Sequence, residues 1–218
     1  MKRTKKEIIV RALILALGLI IAHFGVTLFI LTNMGSDPFN VFVQGIFHTL
    51  AKIEFLSFLT HGTTHIAMCF LIIIVLLKVD SSYIKIGTFL CMIFGGPIID
   101  VFSWMLSPVF AHIHLLPIKL IMLAAGCTIL AFGMTIVIKS DVGTGPNDLV
   151  AIVISDKLHI KFSIMRVIVD AAFVLIGFLL GGTFGIGTLV CVGLVGPVAG
   201  VFLPRNEKLV KKVVKKFV

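Results

Sequence analysis

Gly35-Ser36-Asp37-Pro38-Phe39-Asn40 and Gly143-Thr144-Gly145-Pro146-Asn147-Asp148 are two versions of one turn, set 108 positions apart. The same offset carries Gly25-x-Thr27 onto Gly133-x-Thr135. Further along, Ile86-Gly87-Thr88, Cys91, Gly96-Pro97, Val101 and Phe102 recur at an offset of 100 as Ile186-Gly187-Thr188, Cys191, Gly196-Pro197, Val201 and Phe202. The difference is absorbed where the loop at 51–62 is longer than its partner at 158–161. Two matches in order, each with identical internal spacing, mark a duplication. Repeat 1 runs from about 8 to 110, repeat 2 from about 117 to 204, and a basic tail occupies 205–218.

What was duplicated is a membrane unit. Of 218 residues 59% are hydrophobic and 13% charged, with mean hydropathy +1.17, whereas soluble domains run at about 45–50% apolar and about 25% charged. A soluble fold could not hide this apolar surface, so lipid is the expected solvent. Apolar stretches of spanning length lie near 8–32, 63–79, 84–107, 117–138, 162–181 and 184–203. Two shorter stretches, 38–51 and 146–158, would be only about 20 Å long as helices. They read as half-helices or interfacial helices. An all-α integral membrane protein of six spans in a single membrane domain follows. Three spans per repeat is an odd number, so the second repeat enters the membrane from the opposite side and the repeats are inverted.

Charge orients this arrangement. With both termini cytoplasmic, the inner side collects Lys2, Arg3, Lys5, Lys6, Arg11, Lys78, Lys85, Lys139, Lys157, Lys161, Arg205 and the tail lysines, and the outer side keeps Lys52 and Lys119. That bias is what positive-inside sorting requires. It also explains the net charge of +9 without nucleic acid. Tyr83 and Trp104 bracket the third span, about 31 Å apart, one at each interface. Lys2 to Lys6 before an apolar run could open a secretory signal, but the run is too long for a signal core and no small-residue cleavage site closes it. The tail, with lysines beside paired valines, reads as a basic helix on the inner leaflet or as a solvated segment.

GSDPFNVFVQGI in the first half, GTGPNDLV in the second, Arg166-x-x-x-Asp170 and GIGTLVCVGLVGPV together resemble the YczE/YyaS/YitT group of bacterial integral membrane proteins, the YczE-like branch in particular. The similarity runs from about 12 to 204. It implies a bacterial plasma-membrane protein and says more about fold than about activity. Asn147 stands where that group often carries an aromatic residue, usually Trp, and Asn40 where it often carries Asp.

Inverted repeats are common in secondary transporters, with sites between the halves and half-helix ends facing the substrate. The candidate substrate-binding residues are therefore Asp37, Pro38, Asn40, Gly143, Thr144, Gly145, Pro146, Asp148, Arg166 and Asp170. Pro38 and Pro146 suit a first helical turn, whose free N–H groups favour an anion. A structural turn capped by Asp148 is the plainer reading. Asn40, Gln44 and His48 form one polar stripe, which suits a water path or the interface, and Asp148, Ser155, Asp156 and His159 form the corresponding face. Arg166 and Asp170 stand one turn apart in the fifth span, where charges are costly and pair. Asp100 beside Pro97 marks the outer end of a cavity or a wet helix end. Gly177-x-x-x-Gly181 and Gly196-x-x-x-Gly200 read as packing faces.

Cys69, Cys91, Cys127 and Cys191 lack metal-ligand spacing and read as buried thiols. Five histidines, His48, His61, His65, His112 and His114, fall on the outer side without an acid cluster to make a metal shell. His23 and His159 stand alone. No cofactor, no metal and no catalytic set is expected, and no nucleotide-binding motif occurs. The leading expectation is a transporter for a small solute, with organic anions or amphiphilic metabolites favoured. The rival is an accessory, substrate-capture or assembly subunit of another membrane system. Partners would be the bilayer, the solute, and a second copy or another membrane protein.

Overall fold

The computed structural model describes residues 4–56, 59–110, 113 and 115–217. Among them there are eight α-helices and no strand: α1 (Lys5–Leu31), α2 (Pro38–Leu50), α3 (His61–Asp80), α4 (Ile86–Phe110), α5 (Leu116–Ser140), α6 (Pro146–Leu158), α7 (Phe162–Leu179) and α8 (Ile186–Phe217). Two single 3-10 turns, Glu54–Leu56 and Ser81–Tyr83, lie in the loops. Six helices are long and apolar enough to cross a membrane, and α2 and α6, at 13 residues each, are not. Ile93, Trp104, Val109, Ile121 and Leu179 are among the many large apolar side chains facing outward. Water would not tolerate such a surface, and lipid accepts it.

Proline and glycine set the half-helices. Pro38 and Pro146 open α2 and α6, supplying a helical φ and lacking an N–H that would go unbonded. The turn before each contains a glycine at positive φ, +137° at Gly35 and +128° at Gly143, a conformation that L side chains rarely adopt.

The core is a close crossing of α1 and α5. A Cβ on Gly25 would lie 2.6 Å from the Gly126 carbonyl, and one on Gly133 would lie 2.7 Å from the Gly18 carbonyl. The helices therefore run antiparallel, with small residues letting the backbones touch. α4 lies parallel to α1, where Phe24 meets Phe102 with ring centroids 5.2 Å apart; α8 lies parallel to α5, where Phe132 meets Phe202 at 5.1 Å. The Gly87 N–H donates to the Val142 carbonyl at 2.7 Å, and the Gly187 N–H to the Met34 carbonyl at 2.8 Å. Each half thus holds the other's Gly-Pro turn by the same bond. The two halves do not pack alike throughout: α7 packs along α8, whereas α3 and α4 are hardly in contact, and α2 packs on α7 more extensively than α6 does on α3.

One end of the bundle gathers the basic residues. Arg11 Nη1 donates to the Ser140 carbonyl at 3.0 Å, Lys139 meets Glu207 at 2.8 Å, and Lys85 pairs with Asp141. Lys2 and Arg3 lie outside the described residues. The tail differs from expectation. It is no separate surface helix: α8 continues through Pro204 for 32 residues, about 48 Å and well beyond a core of about 30 Å. Asn206 fixes that continuation. It is 2% exposed and donates to Thr135 Oγ1 at 2.7 Å and the Phe132 carbonyl at 3.2 Å.

Candidate functional site

Three of the sequence candidates meet inside the bundle. Arg166, on the second turn of α7, donates through Nε to Asp170 Oδ2 at 2.8 Å and through Nη1 to Asp148 Oδ1. The side chains of Arg166, Asp148 and Asp170 are 8%, 17% and 1% exposed. A lone guanidinium at this depth would be costly, and two charge-assisted bonds offset the loss of water. Arg166 therefore does not snorkel to the interface. Asp148 sits in the first turn of α6, so this ion cluster ties the second half-helix to α7. Ile66 and Phe70, which stand at the corresponding positions of the first repeat, face outward.

The cluster has an unfilled acceptor. Among the described residues, Asp170 Oδ1 is buried and has no hydrogen-bond donor. Asp37 lies within electrostatic range of Asp170 and Cys191. Its carboxylate caps α2, accepting from the Asn40 N–H at 3.1 Å and from Asn40 Nδ2. Asn40 thus serves the cap. Asp37 caps one half-helix start, and Asp148 places a carboxylate in the first turn of the other, which has no side-chain cap. Arg166 is shared between two acids, so it offers no spare positive charge to an anionic solute.

Gly143, Thr144 and Gly145 form the turn above α6. Gly143 and Thr144 line a cavity of about 360 Å³ together with Tyr83, Lys85, Asp141 and Asp156. Thr144 Oγ1 and Thr88 Oγ1 are buried without partners among the described residues. In the other half Thr188, the counterpart of Thr88, donates to the Ser36 carbonyl at 2.6 Å. Thr88 belongs to the repeated Ile-Gly-Thr motif, which was the signal that could have marked it.

Other expected positions resolve differently. Gln44 accepts from the Thr183 N–H at 2.9 Å, and a ring nitrogen of His48 lies 2.7 Å from the Gly181 carbonyl. Gln44 and His48 of the α2 polar stripe therefore hold the α7–α8 turn. On α6, Asp156 accepts from the Tyr83 hydroxyl at 2.9 Å, Ser155 donates to the Ile160 carbonyl at 2.7 Å, and His159 takes a left-handed C-cap. Asp100 is on the outer surface. Gly177, Gly196 and Gly200 pack closely, whereas Gly181 ends α7 at φ +90°. His61 and His65 meet Phe47 and Phe39 edge-on, and His112 and His114 lie outside the described residues. Cys127 and Cys191 contact each other between α5 and α8.

Sequence reasoning missed two groups. His23 is half-buried on α1, its Nε2 against Gly95 and its ring within electrostatic reach of Asp148. Phe39, Phe42 and Phe173 form an aromatic cluster, with Phe173 centred 5.4 Å from Phe39 and 5.2 Å from Phe42. Phe173 follows Asp170 by one turn, so the cluster is next to the acid. No local pattern in the sequence links α2 to α7.

The chain is similar to other proteins over most of its length. The chain is 29% identical over 191 residues to an "Uncharacterized protein" of Haemophilus influenzae, covering 87% of this chain and 82% of that one. It is 25% identical over 206 residues to the "Uncharacterized membrane protein YczE" of Bacillus subtilis, covering 94% and 91%. "Uncharacterized protein YyaS" of the same organism is 26% identical over 195 residues, covering 88% and 92%. No solved structure matches. The family model described as "Family of unknown function (DUF6198)" matches residues 9–204, so the chain, a YczE-like membrane protein, belongs to that family.

Proposed function

We propose that this chain is a small-solute transporter of the bacterial plasma membrane, built as two inverted three-span repeats with both termini cytoplasmic. The solute crosses chemically unchanged, with no catalytic set and no cofactor. Its site is the Asp148–Arg166–Asp170 cluster, with Asp37 and the two Gly-Pro turns around it. The observation that carries the reading is the ion cluster itself. A structural pair would be expected to satisfy all its acceptors, and this one leaves a buried carboxylate oxygen without a donor among the described residues. Buried charge of that kind in a membrane bundle marks a solute or ion path. Inversion is supported by the antiparallel crossing of α1 and α5 and by the exchanged Gly87–Val142 and Gly187–Met34 bonds.

Proteoliposomes holding this chain alone test the transport reading. Counterflow of a labelled metabolite panel is expected to show saturable exchange of at least one solute, lost in Asp170→Asn. Folded protein that moves nothing alone, but restores flux when a membrane partner is added, would make it an accessory subunit. Topology is checked separately by labelling introduced cysteines, since the four native ones are buried. Lys52→Cys should react from outside intact cells, and Lys212→Cys only after permeabilisation. Labelling of both from one side would overturn the inverted arrangement.

A further inference from the structure

The centre of the bundle is short of positive charge. Arg166 is committed to Asp148 and Asp170, and the hydrogen bonds to Asp37 among the described residues come from the neutral donors of Asn40. Asp170 Oδ1 meets no donor among the described residues, although Asp170 is 1% exposed. An ionised oxygen in that state is costly unless a proton or a cation joins it.

The surroundings say what kind of cation. Phe173, one turn along α7 from Asp170, packs its ring against Phe39 and Phe42. Aromatic faces attract positive charge, most strongly where water is excluded. Phe42 and Phe173 also line an apolar cavity of about 540 Å³ between α2, α3, α6 and α7, with Met68 and Val153 among its walls. Its one charged wall residue among those described, Lys157, is about 13 Å along α6 from Asp148 by helical rise and faces Asp80 at 3.6 Å.

We propose that this site takes an amphiphilic organic monocation. Its apolar body occupies the 540 Å³ cavity against Phe42 and Phe173, and its positive head reaches past Phe173 to Asp170 Oδ1, which lies one turn back along α7, buried outside the cavity wall. A proton holds that oxygen when the cation is absent. Each cation bound then releases one proton, and the charge of the centre is unchanged. The groups that share the field are Arg166 on α7, Asp148 on α6, Asp37 before α2 and Cys191 on α8. Cys127 on α5 contacts Cys191, His23 on α1 reaches Asp148, and His65 on α3 reaches Asp37. The proposal rests on the transporter reading of the same cluster but fails separately from it.

The test uses the purified full chain in phosphatidylcholine nanodiscs with two probes of one shape and opposite charge, tetraphenylphosphonium and tetraphenylborate. Tetraphenylphosphonium is expected to bind saturably and to release close to one proton per cation in weak buffer. Tetraphenylborate should show only the partitioning seen in empty nanodiscs. Asp170→Asn should weaken cation binding about tenfold or more, the scale of one lost charge-assisted contact. Asp37→Asn, which leaves both ion pairs of Arg166 in place and so guards against misfolding, should weaken it several-fold. No saturable cation binding by the wild-type chain, equal binding of the two probes, or wild-type affinity in both variants would overturn the proposal. Saturable binding without flux removes the transport reading alone, and flux of another solute without tetraphenylphosphonium binding removes this one alone.

Discussion

Arg166→Ala is expected to lower the stability of the folded chain by about 3–5 kcal/mol, the cost of breaking a buried pair from one side. The substitution leaves Asp148 and Asp170 in the interior without the cation that both address. Asp170→Asn should cost less, about 1–2 kcal/mol, because Arg166 keeps Asp148 and the amide retains a polar contact. Arg166→Lys should fall between: an ammonium is a single point of charge and cannot reproduce a fork held by carboxylates on two helices. Thermal melting in detergent, followed by the size-exclusion peak that survives heating, would rank the three. Equal melting temperatures for Arg166→Ala and the wild type would sink the cluster as a structural element.

The third member of the cluster decides the charge swap. A two-residue pair would be rescued by Arg166→Asp with Asp170→Arg. Here the exchange sets a carboxylate at position 166 toward Asp148, and like charges in a buried site repel. The double variant should remain as unstable as Arg166→Ala. Adding Asp148→Asn to it should recover most of the stability while leaving function lost. A double variant that recovers without that third change would mean that Asp148 and Arg166 are not partners.

How far the sequence could be read depended on whether the information was local. The half-helices were legible because Pro38 and Pro146 follow repeated glycines, and both ended within a residue of expectation. Arg166 and Asp170 were legible as a pair because i,i+4 residues share a helix face. Asp148 was singled out as a candidate but not as their partner, because the α6–α7 packing that joins them is tertiary. The stripe Asn40, Gln44, His48 correctly announced a polar face. A helical period does not say whether that face meets water or the backbone of another turn, and Gln44 and His48 meet the backbone. The tail misled for a related reason. Hydropathy falls after Pro204, yet leucine, glutamate and lysine propagate a helix well, and Asn206 anchors it to α5.

Gly25→Ala and Gly133→Ala should each destabilise the chain by about 3 kcal/mol, toward the upper end of overpacking costs. A Cβ at Gly25 would lie 2.4 Å from the Leu130 nitrogen, and one at Gly133 would lie 2.3 Å from the Ala22 nitrogen. Both obstacles are backbone, so no side chain can turn aside and α1 and α5 must move apart along their crossing. Because one displacement relieves both clashes, the double variant should cost clearly less than the sum of the singles. Gly193→Ala supplies the contrast. Nothing beyond its chain neighbours and its own helix backbone lies within 4 Å of a Cβ there, and alanine propagates a helix better than glycine by about 0.8–1.0 kcal/mol. That variant should melt at or above the wild-type temperature. If Gly25→Ala melts with the glycine-to-alanine control, α1 and α5 do not cross backbone to backbone.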